Sequence, residues 1–199
     1  MNRIATVLLT AALSALPLSG CISPRTSAET SPPPPPPSDG DFTQSGVVSA
    51  VEDWLGVSAE TAGTLVQRTF ADLGEPNGYI YGEEASGAIG PGLRYGHGTL
   101  VMRNGYSQPV YWQGPSIGWD VGANASKTFT LVYDIPHPDE IYRRFPGVEG
   151  TAYLVGGVGV NYQRAENITL VPMRAGVGAR LGANVGYLAY SRDPRVWPF

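Results

Sequence analysis

Residues 78–103 read GYIYGEEASGAIGPGLRYGHGTLVMR, and the period of this stretch decides the fold. Tyr79, Tyr81 and Glu83 alternate with Ile80, Gly82 and Glu84, and farther on Thr99 and Val101 alternate with Leu100 and Met102. Alternation by two is what a β-strand imposes on its side chains, and Tyr, Ile, Val and Thr fit its pleat. Asn104-Gly105 in "RNGYS" then supplies a hairpin turn. The runs "PVYWQG", "SIGWDVG", "TFTLVYDI", "TAYLVGGVGVNYQ", "ITLVPMR" and "VGYLAYS" keep the same period between turn signals. Many short strands so spaced predict a mainly β fold, a small closed antiparallel barrel of roughly eight to ten strands. One short helix, "PDEIYRRF" from Pro138 to Phe145, is expected between them.

Glycine supports the barrel. Of 26 glycines, 20 lie between Gly78 and Gly186, with no collagen period. Pairs two apart, such as Gly90 and Gly92, Gly96 and Gly98, Gly157 and Gly159, and Gly176 and Gly178, remove side chains from one face of a strand. A strand so stripped coils sharply, or leaves room for a large side chain opposite.

Upstream the period becomes helical. Val47, Val51, Trp54 and Leu55 recur at helical spacing, Gly56 interrupts, and Ser58 stands as an N-cap. Ala62, Leu65, Val66, Phe70 and Leu73 then mark one face of a second helix that stops at Gly74, ahead of Pro76. Residues 42–77 therefore form a helical segment packed against the barrel domain, 78–199.

The first 41 residues have a different character. Arg3 precedes an apolar run from Ile4 to Leu16, too short to span a bilayer and ended by Pro17, which reads as a cleavable export signal over residues 1–20. The sequence Leu18-Ser19-Gly20-Cys21 resembles the bacterial lipobox, which makes Cys21, the single cysteine, a lipid attachment point facing the periplasm. Ile22 after it resembles the residue choice that sends such proteins to the outer membrane. Pro32 to Pro37 then favour a polyproline II rod, so residues 21–41 read as a tether.

Composition excludes several functions. The net charge is −4, with a single lysine, Lys127, which argues against nucleic acid as a partner. "GPGLRYG" and "GVGARLG" miss the dinucleotide fingerprint by one residue and lack its strand-turn-helix setting. The two histidines, His97 and His137, have no nucleophile elbow to serve and are too few for a zinc site, so no catalytic residue, metal or cofactor is assigned. The residues singled out are charges and aromatics within the glycine-rich strands: Glu83, Arg94, Trp112, Trp119, Asp120, Arg174 and Arg180. Charges that point into a barrel need partners, so these form a candidate polar network or ligand pocket, with Tyr95 beside the tryptophans.

The phrases "YWQGPSIGWD" (111–120) and "GVGARLGANVGYL" (176–188), with "GYIYGEEASGAIGPGLRYGHGTL" and "YRRFPGVEGTAYLVGGVGV", resemble the domain-of-unknown-function family 1134. Its characterised branch is the periplasmic envelope integrity protein A of alphaproteobacteria. The resemblance covers about 78–199 and the helix before it. It implies a small β-barrel with a flanking helix, exported to the periplasm and supporting resistance to envelope stress, with distant kinship to the lipid-binding SYLF domain. It carries over no catalytic residues. The lipobox and proline tether depart from the family's ordinary export signal, and the basic N-terminal segment of some lipid-binding relatives is missing. The expectation is a non-enzymatic envelope lipoprotein that binds a lipid, a glycan or an envelope protein. Two alternatives stand beside it: a carboxylate-dependent hydrolase of cell wall or lipid, in which two acids from different strands meet in a cleft, and a scaffold with a filled interior.

Overall fold

The structure is a computed structural model that describes residues 42–176 and 186–195, with the side chains of 86–91 and 116–125 outside the description. Two helices come first, α1 (Gln44–Leu55) and α2 (Ala59–Leu73). Thr43 caps α1 by accepting from Gly46 N at 3.3 Å, and Ser58 caps α2 by accepting from Thr61 N at 3.3 Å, each satisfying a donor that the first turn leaves unpaired. Gly56 closes α1 with a φ of 68°, a left-handed conformation that glycine adopts without strain.

Among the described residues, eight antiparallel strands follow. β1 (Gly78–Met102) and β2 (Ser107–Tyr133) pair from Gly78↔Val132 to Val101↔Ser107, with one irregularity between Ser86 and Ala88. β3 (Arg144–Pro146), β4 (Tyr153–Val155), β5 (Val158–Val160), β6 (Gln163–Ala165), β7 (Ile168–Ala175) and β8 (Tyr187–Ser191) complete the sheet. A straight ribbon as long as β1 and β2 would run about 80 Å, at about 3.3 Å per residue. Instead it folds back on itself: Arg103 N donates to Asn77 O at 3.1 Å, joining the two ends of β1. The halves of β1 meet at Gly82 and Gly98, where a Cβ on Gly82 would lie 2.7 Å from Gly98 Cα and 2.8 Å from the Trp112 ring. Glycine is required there because backbone and indole already occupy the space a side chain would need.

The folded ribbon organises the rest. The late half of β2 pairs with β7 (Lys127↔Ala175 to Tyr133↔Thr169), and its early half pairs with β8 (Tyr111↔Ser191 to Gln113↔Ala189). β7 carries β5 and β6, β5 carries β4, and β8 carries β3. The bridge Gly147↔Gln163 and the bond from Val148 N to Tyr162 O at 2.8 Å then join the two margins. The outcome is an antiparallel sheet curled into a half-barrel with two helices packed on it, the mainly β, barrel-like architecture expected of the sequence. The segment expected as a helix over Pro138–Phe145 is shorter: a 3-10 turn spans Pro138–Ile141, and Arg144 onward joins β8, which puts Phe145 in the core.

Alternation sends the two faces to two cores. Tyr79, Tyr81, Phe129, Leu131, Val171 and Met173 face the helices and pack with Phe42, Val47, Val51, Leu65 and Val66. Trp54 fixes α1 on this face by donating from Nε1 to Thr128 O at 3.0 Å. Ile80, Leu100, Val110, Val132, Leu170 and Leu188 face the concave side and pack with Ile135, Ile141 and Phe145.

Candidate functional site

Beyond that concave apolar layer the residue types change. Glu84, two positions after Gly82 on the inward face of β1, is 3% exposed. A carboxylate so buried costs several kcal/mol unless its lone pairs are met, and here they are. Arg174 Nε on β7 donates to Glu84 Oε1 at 3.1 Å, Arg94 Nε is ion-paired with the same oxygen at 3.2 Å, and Trp112 Nε1 donates to Oε2 at 2.9 Å. Arg174 is held from its other end by Asn161, whose Oδ1 accepts from Nη1 at 2.7 Å. Burial by itself would raise the Glu84 pKa, but the Arg174 and Arg94 guanidinia and the Trp112 N–H outweigh it and keep the carboxyl below its usual 4.5. Tyr190 packs on Trp112 with ring centroids 5.9 Å apart, and burial pushes its phenol well above the ordinary tyrosine range.

The geometry of this network depends on glycine. Trp112 pairs across the ribbon with Gly96, and a Cβ on Gly96 would fall within the indole ring. The indole therefore lies over Gly96 and Gly82 with its N–H turned to Glu84.

Of the candidates read from the sequence, Arg94, Trp112 and Arg174 come together here. Glu83 does not: it is exposed, opposite Lys127 in register, and the network acid is its neighbour Glu84. Parity could not choose between them, because "YIYGEE" carries apolar residues on both faces and both faces are buried. Trp119 and Asp120 lie opposite Ile89 and Ala88 on the ribbon, with side chains outside the description. Arg180 and Cys21 lie outside the described residues.

On the other face of the same rungs the ribbon presents Tyr95 opposite Gln113 and His97 opposite Tyr111. These four, with Glu83 and Arg195, border an open cleft of about 340 Å³ that also reaches Glu84, Gly96 and Trp112 of the network rungs. Gln113 is 3% exposed and lines the cleft. Sequence reading missed Gln113, Tyr111 and His97; the alternation of "VYWQG" held the signal, since Tyr111 and Gln113 must share the face opposite Trp112.

A second cleft, of about 750 Å³, runs along Asn77, Asp134, Glu140, Arg164 and Glu166. Two of its acids are already engaged, for Arg143 pairs with Glu140 and reaches Glu166 Oε2 at 2.8 Å. Among the described residues no three His, Cys, Asp or Glu gather as a metal site.

Comparison with known proteins agrees with the fold. No curated protein matches the chain. A crystal structure of a beta-barrel-like, uncharacterized protein from Brucella abortus is similar, with a TM-score of 0.72 and 45% sequence identity, over 79% of this chain and 98% of that one. The family model for envelope integrity protein A matches residues 40–199, the helices and the whole sheet. The chain belongs to the envelope integrity protein A family.

Proposed function

We propose that this protein is a non-enzymatic envelope lipoprotein, anchored through Cys21 and facing the periplasm, whose half-barrel domain supports envelope integrity as a binding module. The observation that carries the reading is the state of Glu84. A general acid needs a proton near neutral pH, and a carboxylate clamped by two guanidinia and an indole N–H has none to give. Glu83 beside it, which also borders the cleft, alternates to the opposite face of the strand, which supports reading the two as separate groups and not as the carboxylate pair of a hydrolase. The concave side holds an apolar layer and the paired Glu84–Arg94–Arg174 network, while a cleft of about 340 Å³ opens beside the same rungs. That volume lies within the range of ligand pockets, roughly 300–1,000 Å³. Glu84, Arg94, Arg174 and Trp112 thus serve to hold the ribbon, and the cleft is where a lipid, glycan or protein of the envelope would be met.

Complementation tests this reading. A strain lacking the protein should become sensitive to detergent, and the wild-type chain should restore resistance. Tyr111→Ala, which strips the cleft without touching the buried network, should restore it poorly at equal abundance. Full restoration by Tyr111→Ala would put the function elsewhere on the molecule.

A further inference from the structure

The residues that border the cleft specify a ligand class. Tyr95 and Tyr111 are half-buried, one on each strand, and stand on diagonal rungs of the ribbon. Between them the ribbon backbone at Gly96 borders the cleft, while the space a Gly96 side chain would need, on the other face, is taken by the Trp112 indole. The polar groups around these rings are mixed donors and acceptors: the Gln113 carboxamide, the Tyr111 hydroxyl and the His97 imidazole. The lining carries Glu83, Glu84 and Arg195; Glu84 is already ion-paired with Arg94 and Arg174, which leaves Glu83 and Arg195 as opposite charges and favours neither an anion nor a cation. The apolar surface of the cleft is largely aromatic, from Tyr95, Tyr111 and Trp112, with small contributions from Ala85 and Pro194.

We infer that this cleft is a saccharide-binding site. A sugar ring offers an apolar C–H face and a girdle of hydroxyls that both donate and accept. Tyrosine faces match the first, and a carboxamide, a phenol, an imidazole and a carboxylate match the second. This rests on the binding-module reading and narrows it to neutral glycans.

The test uses the full chain carrying Cys21→Ser, with chitotetraose and maltotetraose as probes, followed by saturation-transfer-difference NMR and isothermal titration. At least one oligosaccharide should bind, with transfer to its ring protons. Tyr111→Ala should weaken it about tenfold or more, and Gln113→Leu, which keeps size but loses the amide, about fivefold. Both variants should melt close to the parent, which separates a lost contact from a lost fold. The saccharide inference is overturned if neither probe binds, or if both variants bind within twofold of the parent. An acyl lipid or a peptide that co-purifies with the wild type and is lost in Tyr111→Ala would also overturn it, while leaving the binding-module reading intact. No ligand of any kind would remove both.

Discussion

Glu84 and its neighbour Glu83 differ by one position and by everything that matters to stability. Glu84→Gln would leave the Arg94 and Arg174 guanidinia buried without their anion and should destabilise the domain by about 3–5 kcal/mol, whereas Glu83→Gln on the exposed face should change it by about 0.5 kcal/mol or less. Denaturant midpoints for the two variants check the contrast, and equal midpoints would mean that the network contributes nothing. The pH dependence follows from the same bonds. Folded Glu84 binds its proton less tightly than the unfolded chain does, so its contribution is fully present above about pH 4.5 and is lost as pH falls through its lower folded value. The parent should therefore lose stability on acidification more steeply than Glu84→Gln, as thermal melts between neutral and acid pH would show. Which of the two acids turns inward was not legible in the sequence, because Tyr79 and Tyr81 on one face look as apolar as Ile80 and Gly82 on the other. Long-range pairing decides it: β1 folds back and brings Arg94 across, and β7 brings Arg174.

At the scale of the elements, the β1–β2 ribbon depends on its fold-back. Gly98→Ala would drive a methyl group into the backbone at Tyr81 and Gly82, which have no flexible side chain to yield, and should cost about 2 kcal/mol or more. Gly105→Ala at the exposed turn, with open space around it, would suffer only from its φ of 82°, a cost of about 1 kcal/mol. Thermal melting of the pair would test whether close approach outweighs turn strain. On the helices, Ser58→Ala removes an N-cap and should cost about 1 kcal/mol, read from the same melts. The elements themselves were legible: the period of two gave the strands, the period of 3.6 gave α1 and α2, and Gly56 and Ser58 marked the break between them. The glycine pairs announced a bend or a filled gap. They did not say which glycines meet, since Gly82 and Gly98 touch only after the ribbon has folded over, a contact that no local pattern encodes. The helix expected over Pro138–Phe145 shortened for a similar reason, because Phe145 gains more from the concave core than from another helical turn.

For the molecule as a whole, the described domain opens at Phe42, which is fully buried and tilted against Tyr79 with ring centroids 5.4 Å apart. If Cys21 carries lipid, the wild type should partition with membranes and Cys21→Ser should appear in the soluble periplasm. Identical fractionation would remove the anchor from the account. A binding module whose cleft lies beside the Glu84 network should keep its ligand through gentle purification. The decisive measurement is native mass spectrometry of the full chain carrying Cys21→Ser, purified from the periplasm beside its Tyr111→Ala counterpart. A stoichiometric ligand mass is expected on the first protein and not on the second; the same bare mass for both would mean that the cleft holds no ligand.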